Sequence, residues 1–323
     1  MIDTEVLIVG GGPAGSSCAW SLRRQGVECL VLDRVAFPRL KLCAGWITPE
    51  VVDDLQMEVS GYPHRFLSFE RIRFHTPWLS VSVPTLQHSI RRYEFDDWLL
   101  RRSGAEVQVH EVRDIRPEGG GYVVDGAYRC RYLVGAGGTR CPVFRALFRE
   151  GNPRAKALQA VTLEEEFPYR YTDPRCHLWF FEKGLPGYSW YVPKADGYLN
   201  VGIGGMAARL KSRGEDIKPH WARLAARLTD QGLVTDHEFK PKGYSYFVRG
   251  PGCRARIGNA FVVGDALGLA TRDLCEGIGP AVRSGLLAAR SIARGQDYDL
   301  ESIPAYSSRS RLVARYIDHR LHG

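Results

Sequence analysis

An apolar run from Val6 to Val9 breaks into glycines at Gly10, Gly12 and Gly15, and few folds tolerate that junction. The run reads as a buried parallel strand. Ser16 to Arg24 reads as a helix with Ala19, Trp20 and Leu22 on its buried side, ended by Gly26. A second apolar run, Cys29 to Leu32, stops at Asp33. Strand, Gly-rich turn, helix, strand and acid together make a phosphate-binding βαβ unit. Gly10 permits the tight turn, Gly12 lets a pyrophosphate approach the backbone, and Gly15 lets the helix lie close to the strand. Pro13 and Ala14 lie in the turn as cofactor-binding candidates, and the helix N-terminus offers free N–H groups and the positive end of its dipole. Asp33, about 20 residues on, is placed to accept from ribose hydroxyls. An acid rather than an Arg at that position favours FAD or NAD over NADP.

The whole chain, at 323 residues, is long enough for two domains. It contains no run of about 18 apolar residues, so no transmembrane helix is expected, and its start lacks the pattern of a signal peptide. The eight cysteines form no C-x-x-C, and no His/Cys cluster has zinc-ligand spacing. A reduced, cytoplasmic protein without a metal is the expectation. The net charge of +8 suits anionic partners: cofactor phosphates, a diphosphate substrate, or peripheral contact with an acidic membrane. No nucleic-acid motif accompanies the spread Lys and Arg residues, so no nucleic-acid partner is expected.

Thr48 and Pro49 start a short helix, and residues 66–90 alternate loosely like antiparallel strands. Ile90 to Arg102 reads as an amphipathic helix, and Ala105 to Val109 as a strand. Val112 to Ile115 and Gly121 to Val124 read as meander strands, and Tyr132 to Val134 as a buried one. From about 155 to 249 strand-like pieces replace the β/α alternation, and ten aromatics fall between Phe167 and Tyr198. The β/α pattern returns at Phe261-Val262-Val263-Gly264-Asp265, followed by a helix from Pro280 to Ala293. A discontinuous cofactor domain over 1–60, 90–150 and 250–300 is expected, with a substrate domain over 61–89 and 151–249 and a basic C-terminal segment over 301–323.

Asp265, at a strand end, can accept from a ribityl hydroxyl. Gly277, Ile278 and Gly279 bracket a tight approach, and Pro280 suits the first position of a helix. That helix N-terminus is suited to the N1–C2=O edge of a flavin, where reduction places negative charge.

Gly10 to Gly15 with Asp33, the turn Gly135 to Arg145, and Gly264-Asp265 resemble, in this order, the FAD-dependent hydroxylase superfamily. Two stretches resemble its geranylgeranyl reductase family. Tyr188-Ser189-Trp190-Tyr191-Val192-Pro193-Lys194, followed by Asn200-Val201-Gly202-Ile203-Gly204, is similar to Y-x-W-x-F-P-K and N-V-G-x-G. Lys41-Leu42-Cys43-Ala44-Gly45 is similar to K-x-C-G-G. Glu276-Gly277-Ile278 and Ser284-Gly285 match its E-G-I and S-G positions. The chain departs from the pattern at Ala44, Val192 and Cys275, and at Ala136-Gly137-Gly138, where Ala-Asp-Gly is usual. That last motif is implicated in nicotinamide handling, so NAD(P)H and ferredoxin, or another electron-donor protein, both stay open as electron source.

The resemblance implies an α/β architecture: a Rossmann-like FAD-binding domain with an inserted antiparallel-sheet substrate domain, an aromatic-hydroxylase-like fold. It implies FAD contacts from Arg34, Lys41, Cys43, Ala44, Arg92 and Gly138 besides the residues already named. It implies an apolar, isoprenoid-like substrate bordered by Gly45, Trp46, Tyr188, Trp190 and Tyr191, with carbon–carbon double bonds as the target. Period-two alternation separates Tyr188, Trp190 and Val192 from Ser189 and Tyr191, so only one set can face a flavin. Cys43 is the candidate for proton donation or gating. A flavin monooxygenase or halogenase acting on an aromatic or polyketide, and a non-catalytic flavin-binding relative, are the competing expectations.

Overall fold

The structure is a computed structural model describing residues 1–323. The chain begins β1 (Ile2–Val9), α1 (Pro13–Arg24), β2 (Cys29–Asp33), β3 (Trp46–Ile47) and α2 (Pro49–Asp54). It continues through β4 (Leu67–His75), β5 (Ser80–Ser89), α3 (Arg92–Arg102), β6 (Glu106–Val109), β7 (Ile115–Glu118), β8 (Gly121–Val124) and β9 (Tyr128–Gly135). Next come β10 (Gln159–Pro168), β11 (Cys176–Phe180), β12 (Gly187–Lys194), β13 (Tyr198–Met206), α4 (Ala207–Ser212) and α5 (Ile217–Asp230). The last elements are β14 (Lys242–Phe247), β15 (Arg256–Ile257), β16 (Ala260–Val262), α6 (Ile278–Arg294) and α7 (Arg311–His322).

Two compact units emerge. The first comprises residues 1–39, 93–155 and 247–307. Its sheet has the order β15-β16-β9-β1-β2-β6, with β1 parallel to both β2 and β9. Both faces are buried, as the continuous apolar runs require. Val6, Ile8 and Val31 pack with Cys18, Ala288 and Ala289 of α1 and α6. Leu7, Leu30 and Leu133 pack with Tyr122, Phe148 and Leu267 on the other face. Small residues let α1 and α6 approach closely: a Cβ at Gly285 would collide with the carbonyl oxygen of Ala14. Trp20 is half-buried, its ring covered by the guanidinium groups of Arg24 and Arg102.

The second unit comprises residues 40–92, 156–246 and 308–323. Its sheet has the order β14-β10-β13-β12-β11-β4-β5-β3. From β10 to β3 the pairings are antiparallel except β11 with β4. Trp221, Leu224 and Leu228 of α5 cover one face, over Tyr191, Val201 and Ile203.

Four expectations change. Residues 40–60, expected in the first unit, cluster with the second. The cause is that β3 pairs with β5, and the Lys194 ammonium donates to the carbonyls of Ala44 and Gly45. Residues 308–323 also join the second unit, because α7 buries Ala314, Ile317 and Leu321. The strand expected over 112–115 begins only at Ile115. The Asp125 carboxylate takes the N–H groups of Arg113 and Asp114 at 3.0 and 2.7 Å, which draws that backbone out of the ladder. Finally, α6 starts at Ile278, so Pro280 is its third residue rather than its first. A first-turn N–H has no partner within the helix, so the missing donor costs little there.

Candidate functional site

In the first unit the turns after β1, β9 and β16 lie at the carboxyl ends of neighbouring strands, where open α/β sheets bind ligands. Gly10 has φ +113°, and a Cβ there would collide with the Ala136 carbonyl. A Cβ on Gly15 would collide with the carbonyl oxygen of Gly10. Gly12 is the N-cap of α1 and no side chain caps that helix, so the first-turn N–H groups stay available to a phosphate. The only group near a Cβ built on Gly12 is the Arg39 guanidinium, at 3.3 Å. This open glycine, uncapped helix and neighbouring cation fit a pyrophosphate. Arg39 escaped notice in the sequence because it sits in a loop without periodicity. It stacks on Phe37 and lies 3.6 Å from the buried Asp96 carboxylate.

Asp33 is buried at the end of β2. Its carboxylate accepts from the Gly11 N–H at 2.8 Å and from the Val35 N–H at 3.2 Å. It therefore shapes the glycine turn, through the backbone on both sides of it. Arg34 beside it is exposed. Gly138, at φ +68°, opens the turn after β9. Asp265 lies in the turn Gly264–Ala266. The two turns are tied by Arg154, which donates to the Thr139 carbonyl at 2.5 Å and the Ala266 carbonyl at 2.8 Å. A Cβ on Gly277 would lie 3.3 Å from Asp265 Oδ1, so the start of α6 and the Asp265 carboxylate are neighbours. Gly277 is the N-cap of α6, followed by Ile278 and Gly279. Glu276 Oε1 accepts from the Gly279 N–H at 2.6 Å, and burial raises its carboxyl to about 7.

In the second unit one face of β12 and its neighbours carries the remaining candidates. Tyr188 and Trp190 point to this face, their rings 5.9 Å apart. Phe180 stacks on Tyr188 at 4.9 Å and on Phe74 at 5.9 Å, which extends an aromatic wall. Tyr191 does not belong to it. Its ring lies on the opposite face among Trp221 and Leu224, with its hydroxyl donating to the Asp173 carbonyl at 3.0 Å. The strand's alternation sends it there.

Gly202 faces Trp190 across the strands, and a Cβ there would collide with the indole. The indole N–H donates to Asn200 Oδ1 at 2.7 Å, and Asn200 Nδ2 donates to the Cys43 carbonyl at 3.3 Å. The N-V-G stretch thus seats the tryptophan and fastens the 41–45 loop. Cys43 is half-buried with a free thiol, its sulfur accepting from the Gly45 N–H at 3.3 Å. Ala44 and Gly45 bind Lys194 through their carbonyls, and Trp46 begins β3, half-buried. Lys41 holds its ammonium 3.4 Å from the centre of the Tyr244 ring.

Two buried ionisable groups here were not expected from the sequence. Lys194 has no exposure and donates to the carbonyls of Ala44, Gly45 and, at 2.9 Å, Ile90. Burial lowers its ammonium, offset by the nearby acids Glu166 and Glu164. Glu164 is 2% exposed, and its Oε1 has no hydrogen-bond partner. Burial raises its carboxyl to about 8 despite Lys41, Lys194 and Arg92 nearby, with Glu166 adding to the rise. Arg92 itself is buried at the first residue of α3.

Comparison with known proteins agrees with this arrangement. Residues 3–58 match the family described as FAD binding domain. An uncharacterised protein of Methanosarcina barkeri is 31% identical over 303 residues, covering 90% of this chain and 74% of that one. The menaquinone reductase of Mycolicibacterium smegmatis is 28% identical, over 92% of this chain and 78% of its own. Digeranylgeranylglycerophospholipid reductase 2 of Methanosphaera stadtmanae is 24% identical, over 95% and 83%. The crystal structure of a geranylgeranyl bacteriochlorophyll reductase-like protein of Thermoplasma acidophilum superposes with TM-score 0.77 at 19% identity, over 100% of this chain and 85% of that one. A flavin-dependent brominase superposes with TM-score 0.72 at 19% identity, over 92% and 81%. At such identities the structural likeness speaks for the fold, the expected Rossmann-like flavoprotein architecture. With the glycine turn, the aromatic strand and the E-G-I start of α6 all in place, the chain belongs to the geranylgeranyl reductase family of flavoproteins, an oxidoreductase family whose cofactor is FAD.

Proposed function

We propose that the protein reduces carbon–carbon double bonds in the chain of an isoprenoid lipid. The observation that carries this reading is the β12 face, where an aromatic wall of Tyr188, Trp190, Phe180 and Phe74 is paired with a single buried, neutral carboxyl on Glu164. An isolated alkene offers no polar handle, so it must be held by shape and apolar contact. The substrates in the names of several relatives, menaquinone and digeranylgeranylglycerophospholipid, support the same class.

Hydride transfer is the chemistry FAD supplies when bound. Gly10, Gly12, Gly15 and Arg39 would hold its pyrophosphate, Asp33 its ribose and Asp265 its ribityl chain, with Gly277 to Gly279 at the flavin edge. Trp190 is locked by Asn200 and Gly202, so the wall presents one shape to the substrate. Glu164 keeps a proton on its carboxyl at neutral pH, because an anion there would be desolvated. Saturation of an alkene needs one proton besides the hydride, and Glu164 is the group on this face that can hold it. Cys43 remains the alternative holder.

The test is anaerobic. The flavin of the purified protein is reduced with dithionite, and a geranylgeranyl lipid that carries no quinone ring is added. Reoxidation of the flavin with a mass gain of two hydrogens per reduced bond is expected. Reoxidation only on admitting oxygen, with hydroxylated or halogenated product, would replace this reading with that of a monooxygenase or halogenase.

A further inference from the structure

The second unit exposes apolar and basic side chains together at one end of its sheet. The turn between β4 and β5 holds Trp78 at 78% and Leu79 at 60% exposure. It is not a loose tip. The Thr76 N–H donates to the Leu79 carbonyl at 2.8 Å, and the Leu79 N–H donates to Thr76 Oγ1 at 3.1 Å. The fold therefore spends hydrogen bonds on presenting an indole to the outside.

The amphipathic α7 shows the same pattern. Ala314, Ile317 and Leu321 pack inward, yet Leu312 is 82% exposed and Val313 and Tyr316 about half exposed. Arg311, Arg315, His319 and Arg320 are exposed on the same helix. Its single acid, Asp318, lies 3.6 Å from His322 and is largely covered. An outer surface of Leu, Val, Tyr and Arg without an exposed carboxylate marks a helix that lies in an interface rather than in water.

The two features meet. Phe74 and His75 at the end of β4 pair with Leu178 and Trp179 of the parallel β11, so the Trp78 turn flanks the end of β11. There Phe180 stacks on Phe74, and Phe181 meets the Tyr316 ring edge-on at 6.3 Å with Arg320 over its face. The loop after Phe181 adds the exposed Lys183, and Arg213 donates to the Gly184 carbonyl.

We propose that this end of the sheet, with the Trp78 turn and α7 on either side, docks on an anionic phospholipid surface. Trp78, Leu79, Leu312 and Tyr316 enter the headgroup boundary, and Arg311, Arg315, Arg320 and Lys183 meet the lipid phosphates. Strand addition by a second copy along β5 is the competing occupant. Pro84 within that edge removes a donor from it and opposes such pairing.

The test uses the FAD-loaded protein and vesicles free of isoprenoid, so its result is independent of the reaction proposed above. Flotation with phosphatidylglycerol/phosphatidylcholine vesicles should carry the protein up, and phosphatidylcholine alone or 0.5 M NaCl should release it. Brominated phosphatidylglycerol should quench tryptophan fluorescence in the wild type and do so weakly in Trp78→Ser. Arg311→Glu with Arg315→Glu, and Leu312→Ser with Tyr316→Ser, should each lower partitioning at least tenfold while retaining bound FAD. Should a variant misfold, wild-type trypsin cleavage after Arg311 and Arg315 gives the answer, since anionic vesicles should protect both sites. Absence of flotation, equal cleavage with and without vesicles, or variants that dissolve a lipid-free dimer would overturn the proposal.

Discussion

Glu164 stands in a run of three glutamates, Glu164-Glu165-Glu166, which in the sequence looks like solvated surface. The strand register sorts them. Glu165 faces the side of His237, whose ring nitrogen lies 3.2 Å away, and its other oxygen takes the Lys240 N–H at 2.6 Å. Glu164 and Glu166 turn to the Trp190 face, Glu166 pairing with Arg91 at 2.9 Å and Glu164 left neutral. The groups around Glu164 are Lys41, Lys194, Arg92 and Glu166. Its folded pKa, about 8, exceeds the ordinary 4.5. Between those values the folded state binds more protons than the unfolded one, so stability falls as pH rises through that window. Each unit of displacement is worth about 1.4 kcal/mol. Glu164→Gln cannot ionise and escapes that loss. Its Tm relative to wild type is therefore expected to rise by several degrees between pH 6 and pH 9, measured by scanning fluorimetry. Glu276 also titrates, near 7, but is common to both proteins and drops out of the comparison. A constant difference across the range would show that Glu164 is ionised at neutral pH.

At the scale of elements, legibility followed the reach of the contacts. β1, α1 and β2 were readable because strand, glycine turn and helix are specified by neighbours within about 30 residues. The aromatic strand β12 was readable as a strand, and alternation alone separated Tyr191 from Trp190. The placement of residues 40–46 was not readable. It depends on Lys194, which lies 150 positions from Ala44. No local pattern announces that a lysine at a strand end will be buried with three carbonyls as its ligands. That arrangement makes a prediction. In Lys194→Met the carbonyls of Ala44 and Ile90 lose their donor in a buried site, at about 1–3 kcal/mol for each unsatisfied group. At about 2–4 °C per kcal/mol, a Tm loss of several degrees is expected. Amide exchange should quicken over residues 41–46 while β1 and α1 keep their protection. Uniform quickening across the chain would show that the ammonium serves global packing rather than this loop.

For the whole molecule, the first unit is assembled from residues 1–39, 93–155 and 247–307, and the turns of these segments touch. Gly10 lies against Ala136, Gly264 against Ala14, and Arg154 joins the turns of Thr139 and Ala266. A nucleotide held by these turns links segments more than 100 residues apart, and the unfolded chain has no such site. Binding therefore stabilises the folded state by RT ln(1 + [L]/Kd), about 2.7 kcal/mol at a hundredfold excess over Kd. The apo-protein's Tm is expected to climb by a few degrees for each tenfold rise in FAD beyond Kd. NAD at the same concentrations should leave it unchanged, because the flavin edge beside Gly277 to Gly279 would be unmet. In Gly15→Ala the new Cβ would collide with the Gly10 carbonyl and push α1 off the turn, so the FAD-dependent rise should vanish. An equal rise in wild type and Gly15→Ala would mean that the nucleotide sits elsewhere than on these three turns.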